Sequence, residues 1–585
     1  MKYPKLKVLE TSRQMVDTFR GYNHNLRIST GEFFDMKNMT SDYYPVLSPR
    51  GKRGVYATPD NPQGLISKDA LCYVDGTKFV INGHPVEMGL STASDDCPKS
   101  LISMGAYVII MPDRKYINTL DLTDFGNIDA SFVTSGDVTF QLCNIDGDAY
   151  SGATVSPTAP ENPDNFALWI DTSSTPHTLN KYSATSSVWV PIATTYIKIS
   201  STGIGAAFKQ YDGVTISGIL DENLQDLNGS MVIWDCGDDY IVVIGILDSV
   251  ITQTNADGAI TVERKMPKMD FVVESKNRLW GCRYGVANNG EVVNEIYASK
   301  LGDFKNWNCF MGIATDSYAV SVGTDGQFTG AITHLGYPLF FKENVLHKVY
   351  GDYPANIQVQ DTACRGVQKG CDRSLAIVNE ILYYKARHAV CAYDGSLPTE
   401  MSSVMGDTQY SNAVAGSHGN KYYISMADGS GAYHLFVYDT AKGMWHKEDD
   451  LRADCFCSCR EEMYCIEHGS KKITTMLGSG TKDTRNVKWM AETGEIGISS
   501  PDMKYISRLT VRMMLDVGAE VRFFVKYDFS DEWECVFALV GTNLRSFSIP
   551  IRAKRCDHMK LRIEGDGNAK IYSITKTIEQ GSEIS

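Results

Sequence analysis

The stretch NKYYISMADGSGAYHLFVYDTAKGMW, Asn420 to Trp445, decides the fold. Aromatic and β-branched residues run for a strand's length on either side of Asp428-Gly429, a pair that suits a tight turn because glycine accepts positive φ without steric cost. A second turn after Asp439 leads to Met444-Trp445. No helical period fits these residues, so the stretch reads as consecutive antiparallel strands.

The same device recurs along the chain. LCYVDGTKFVING from Leu71 shows it at its clearest, and further hairpins start at Gly105, Asn277, Tyr337, Glu380, Asn420 and Glu461. The last four begin 43, 40 and 41 residues apart, close to the length of about 40–50 residues that builds one propeller blade. Val437 to Trp445 also has the tyrosine-aspartate, turn, tryptophan layout of kelch blades. The expected fold class is therefore all-β, a β-propeller of six or seven blades; radial packing protects the edges of so many short strands. A row of stacked β-sandwiches is the alternative, since sandwiches also space strands at about 8–12 residues. GVYATPD, starting at Gly54, could supply the strand that closes the ring against the last blade.

The rhythm breaks between Ser135 and Cys236, where a segment rich in Pro, Asn, Ser and Thr precedes TTYIKISSTGIGAAFKQYDGVTISGIL. The expected organisation is an N-terminal extended docking arm over residues 1–50, a propeller over 51–134 and 236–483, an inserted small β domain over 135–235, and a C-terminal β-sandwich or jelly roll over 484–585. In the last unit Leu509, Val511, Met513 and Leu515 fall on one strand face, with Arg508, Thr510, Arg512 and Met514 on the other.

Composition narrows the function. The formal net charge is -14, from 56 Lys+Arg against 70 Asp+Glu, which argues against a protein that grips nucleic acid through clustered cations. The N-terminus lacks the apolar run of a signal peptide, and the longest apolar stretch, Tyr240 to Leu247, is too short to span a bilayer. Fifteen cysteines, an odd number without a secretion signal, read as reduced thiols of a soluble cytosolic product.

No motif meets the requirements of an active site. Cys455, Cys457, Cys459, Cys465 and His468 are the densest soft ligands, but alternation along a strand spreads sulfurs that a zinc knuckle would converge. The cysteines read as small core residues of a blade. Asn144 to Gly152 has the acidic alternation of a calcium loop, yet carries Ala149 at the sixth position and Val155 at the twelfth. Asp439 is followed by Gly443, a spacing that breaks the aspartate box of sialidase-type propellers. The sequence thus predicts no catalytic residue, no metal and no cofactor.

GEFFDMKNMTSDYYPVLSPRGKRG, Gly31 to Gly54, carries aromatics, amides and prolines without a period and ends in a basic cluster. Phe33, Phe34, Tyr43 and Tyr44 suit anchors in a neighbouring subunit, with Arg50 and Arg53 against its acidic groups. Alternatively the aromatics cap the chain's own propeller. The pattern Gly31-Glu32, Asp35-Met36, Asn38, Asp42, Tyr44-Pro45, Pro49-Arg50 and Arg53 resembles bacteriophage tail proteins of the DNA-stabilisation, hub or nozzle kind, found in short-tailed phages and prophages. Asn294 to Asn308 and Ile549 to Ser582 extend the resemblance. It implies a non-enzymatic virion subunit, assembled in the bacterial cytoplasm into a homo-oligomeric ring, a hexamer by resemblance. Such a ring meets portal and adaptor proteins and tail fibres or a needle, and conducts DNA without tight binding. A host-surface glycan-binding or glycan-processing propeller is the other class, because fold does not fix function.

Overall fold

The computed structural model describes residues 11–92, 99–287, 290–482, 486–499, 503–528, 530–552 and 554–580. Strands dominate, and helix is limited to short 3-10 turns such as Glu222–Leu227 and Asp372–Ser374. Among the described residues, six four-stranded sheets and one five-stranded sheet form the ring. The blades begin at Pro62, Ser100, Phe271, Gly330, Ala376, Ser411 and Ala453. In each, the first strand lies innermost and touches the first strand of an adjacent blade or the 3-10 turn leading into it. The seven-bladed propeller follows from the hairpin rhythm: a sheet buried on both faces by its neighbours needs short runs apolar on both sides, and Ile381–Lys385 and Val390–Tyr393 are such runs.

The last blade does not complete itself. Its strands Ala453–Cys459, Glu462–Glu467 and Ile473–Thr475 are joined by Gly54–Ala57, which pairs antiparallel with Ile473–Thr475. This is the closing strand expected from GVYATPD. It fits because Gly54 has no side chain: a Cβ there would lie 2.0 Å from the Ser479 carbonyl oxygen and 2.5 Å from Thr475 Oγ1.

Between the second and third blades stands the inserted domain, three sheets whose strands run from Ala130–Val133 to Thr261–Arg264. It is wider than the expected span 135–235 because those two outer strands pair with each other and so belong to the insertion. Its main core gathers Phe140, Ile199, Val214, Ile241 and Val262. Asn144 to Gly152 forms a turn in which Asn144 Oδ1 accepts from the Asp146 and Asp148 amides.

The third unit is built on the 24-residue strand Lys504–Tyr527. Its first half lies between Glu534–Ile549 and Ala569–Gln580, its second half between Glu534–Ile549 and Met559–Asp566. The register breaks between Leu515 and Glu520, and Val517 is fully exposed at that corner. Leu509, Val511, Met513 and Leu515 all face the core, as their alternation requires. The expected boundary at 483–484 lies outside the described residues, as do residues 1–10 of the expected arm.

The rest of that arm is not extended. Thr11–Val16, Gly21–Tyr22 and Glu32–Lys37 are strands of this same C-terminal sheet, and Leu47 exchanges backbone hydrogen bonds with Ile571 at 3.1 and 3.0 Å. Strands of two to six residues are too short to show a period.

Replacing Gly54 with Ala should destabilise the protein by about 1–3 kcal/mol through overpacking, read as a lower midpoint in urea unfolding. An unchanged midpoint would show that the closing strand does not seat as described.

Candidate functional site

Two places gather functional side chains. The first is the channel at the centre of the ring, a cavity of about 550 Å³. Its wall is mixed, with apolar Leu65, Leu101, Val272, Leu375, Val414 and Phe456 supplied by the innermost strands or the residues leading into them. Its charges stand at the start of those strands: Lys99 ahead of Ser100–Met104, Asp270 ahead of Phe271–Ser275, and Asp372 with Arg373 in the turn before Ala376–Val378. Lys99 pairs with Asp113 and donates to Ser91 Oγ at 2.9 Å. Asp270 Oδ2 accepts from the Tyr284 amide at 2.8 Å, and Arg373 Nη1 donates to the Asp454 carbonyl at 3.0 Å. Burial pushes the Asp372 carboxyl above the usual carboxylate range, with Arg373 opposing. One carboxyl biased toward its protonated form and another held by a backbone donor are the kind of groups acid-base chemistry uses. Sequence reasoning missed them; the signal was a charged residue immediately before an innermost strand.

The second is the clamp made by residues 19–53. Phe33 is 1% exposed in the core shared by the N-terminal segment, the fourth to sixth blades and the C-terminal sheet. Phe34 stacks on His24 with ring centroids 4.2 Å apart, and Lys560 Nζ lies 4.6 Å from the centre of its ring. Tyr43 and Tyr44 remain exposed, with Lys570 Nζ 4.1 Å from the Tyr43 ring centre. Arg50 and Arg53 find their acids within the chain: Arg53 reaches Glu448 at 2.8 Å and Asp449 at 2.7 Å, while Arg50 reaches them at 3.5 and 3.1 Å. Phe33 and both arginines are therefore occupied at home, and of the six expected anchors the two tyrosines are the ones that face solvent.

Asn38 shows how the clamp works. Its backbone amide donates to Glu448 of the sixth blade at 2.5 Å, its side-chain amide donates to Lys488 of the C-terminal sheet at 2.7 Å, and its Oδ1 accepts from Arg50 Nε at 2.8 Å. Ser41 Oγ donates to Asp439, the aspartate of the kelch-like turn, at 2.5 Å. Burial works against charge at Asp449, yet the two guanidinium groups outweigh it and hold the carboxyl below its ordinary range.

Cys455, Cys457 and Cys459 share a face of Ala453–Cys459 and pack with Leu71, Ile466 and Ile473, in the seam between the last blade and the first. Burial pushes the Cys455 and Cys457 thiols up to about 12, so they stay protonated at neutral pH. Among the described residues, no group of three or more His, Cys, Asp or Glu is arranged to hold a metal.

No family model matches the chain, and no curated protein does. Solved structures do match. An exo-β-1,3-galactanase from Phanerochaete chrysosporium is 8% identical, with 52% of this chain and 94% of that one covered and a TM-score of 0.20. A glycoside hydrolase family 43 arabinoxylan arabinofuranohydrolase from Bacillus subtilis is 9% identical over 52% and 94%, with a TM-score of 0.19. An acylaminoacyl peptidase from Pyrococcus horikoshii is 8% identical over 50% and 47%, with a TM-score of 0.23. The expectation that the chain is not an enzyme is corrected here: its structural neighbours include glycoside hydrolases, and the lack of a catalytic motif in sequence does not place it outside them. At these scores the likeness carries no reaction or substrate to this chain.

Replacing Arg53 with Met should cost about 1–3 kcal/mol, because it leaves the buried Glu448 and Asp449 carboxylates with Arg50 in place of two guanidinium groups. Asp449 titrates below its unfolded value, so its contribution is complete above a pH of about 4 and is lost as the pH falls through the depressed value. The gap between wild type and variant in urea midpoints should therefore be constant at neutral pH and shrink in acid.

Proposed function

We propose that the chain is a structural subunit of a phage-tail ring of the stabilisation, hub or nozzle kind, retaining packaged DNA below the portal and adaptor and conducting it at ejection. The observation that supports this reading is where the three resembling segments lie. Gly31 to Arg53 joins propeller to C-terminal sheet. Asn294 to Asn308 joins propeller to insertion: Asn306, fully buried, donates to Asp212 at 2.8 Å and accepts from the Gly213 amide at 2.9 Å. Gly213 admits that approach, since a Cβ there would meet the Asn308 carbonyl oxygen at 2.3 Å. The third segment pairs with the first through Ile571 and Leu47. The segments that carry the resemblance to tail proteins thus lie at the joints, which supports a part whose task is to hold a fixed shape. An excess of acids suits a conduit, because neutralised phosphates would retain the genome.

Static light scattering and negative-stain microscopy of the purified protein test the proposal. A ring with a central opening is expected. A monomer at every concentration would overturn it.

A second reading, a glycan-processing propeller, draws on Asp270 and Asp372 in the channel, because glycoside hydrolysis works through paired carboxyl groups. It predicts glycan hydrolysis that Asp372→Asn lowers by at least about 10²-fold. The absence of hydrolysis across a panel of plant and bacterial polysaccharides, or activity untouched by the substitution, would count against it.

A further inference from the structure

The C-terminal sheet has an unusual boundary. The outer strands of the first six blades are two to six residues long, short enough to offer no template for another chain. Glu534–Ile549 is a boundary strand of 16 residues. Among the described residues it pairs only with Lys504–Tyr527, so its other edge is open. Over its length it carries two charged residues, Glu534 and Arg545, and no proline or lysine. Val540 and Leu544 are exposed. Three register shifts interrupt its ladder with Lys504–Tyr527, yet an edge this long with two charges along it suits strand pairing.

At the far side of the same sheet stands a second open edge. Among the described residues Thr11–Val16 pairs with Ala569–Gln580 on one side and with nothing on the other, and five of its six residues are exposed. The two edges lie level. Met15 is opposite Thr575, Thr575 opposite Thr510, and Thr510 opposite Ser548, so one row crosses four strands from edge to edge. Every step across that row is antiparallel. Thr11–Val16 therefore runs opposite to Glu534–Ile549.

We propose that Thr11–Val16 of one copy adds to the open edge of Glu534–Ile549 in the next, giving an intersubunit β-sheet. The inference rests on the assembly reading above and names its interface. In a ring whose axis runs roughly along these strands each copy keeps its strand directions, so the new pair continues the antiparallel alternation without a break. The contact is heterologous, which is the kind that closes rings. Self-pairing of two Glu534–Ile549 edges would also be antiparallel, but it would end at a dimer and leave Thr11–Val16 unused.

The test uses full-length chains. A photo-crosslinking benzoylphenylalanine replaces Met15, light- and heavy-isotope preparations are assembled together, and cross-links between unlike chains are mapped by mass spectrometry. Cross-links from position 15 to residues 534–549 of another chain are expected. Cross-links elsewhere, or only within a chain, would overturn the proposal. Independently, Gln14→Pro and Met15→Pro remove successive amides that point to opposite edges. One of them should lose the oligomer while keeping the wild-type melting temperature of the chain. If both keep the oligomer, the pairing fails and the assembly reading stands; if wild type is monomeric throughout, both fail.

Discussion

A ring of blades has to be held shut, and here the latch is a strand borrowed from the other end of the chain. Gly54–Ala57 hydrogen-bonds to Ile473–Thr475 across more than four hundred residues of sequence. The rest of the molecule is organised around that one pairing. The chain that delivers the latch has already crossed the C-terminal sheet as Thr11–Val16, Gly21–Tyr22 and Glu32–Lys37, so whatever holds the latch also holds the third unit. Arg50 and Arg53, just ahead of it, are pinned to Glu448 and Asp449 of the sixth blade. Ring closure and the docking of the C-terminal sheet are consequently one cooperative event.

Two joints share a single chemical style. Each places a buried asparagine amide across the seam: Asn38 between blade and sheet, and Asn306 between blade and insertion; inside the third blade the Arg278 guanidinium does similar work on the Ser299, Ala314 and Asp316 carbonyls. An apolar contact tolerates sliding, whereas an amide with three committed hydrogen bonds does not. The units are thus fixed in orientation as well as in contact, which suits a component of a larger symmetric body.

How far the sequence could be read depended on the range of the interaction involved. Blades are made of local hairpins, so their spacing was visible from Tyr337 onward, and the strandlike GVYATPD could be assigned to the seam because a ring needs such a strand. The inserted domain was underestimated because Ala130–Val133 and Thr261–Arg264 look like any other strands until their mutual pairing is known. Gly31 to Arg53 looked like an arm because its contacts are almost all distant, to residues 439, 448, 488 and 571. The channel was the least legible part. Asp270, Asp372 and Lys99 come from separate blades, and nothing in any one blade says that their strand ends converge.

The borrowed strand also sets a timetable. Gly54 leaves the ribosome more than four hundred residues before Ile473, so through that interval the latch exists without its keeper. Domains generally fold in the order they emerge, but this propeller cannot finish until its last blade has appeared. Such a distant contact is slow to form because loop closure must be paid for before pairing rewards it. In the interval the first and last blades each present an apolar flank, Leu71 on one side and Ile466 with Ile473 on the other. A chain built this way keeps apolar flanks uncovered until its last blade has been made, and then becomes a body with its seam closed.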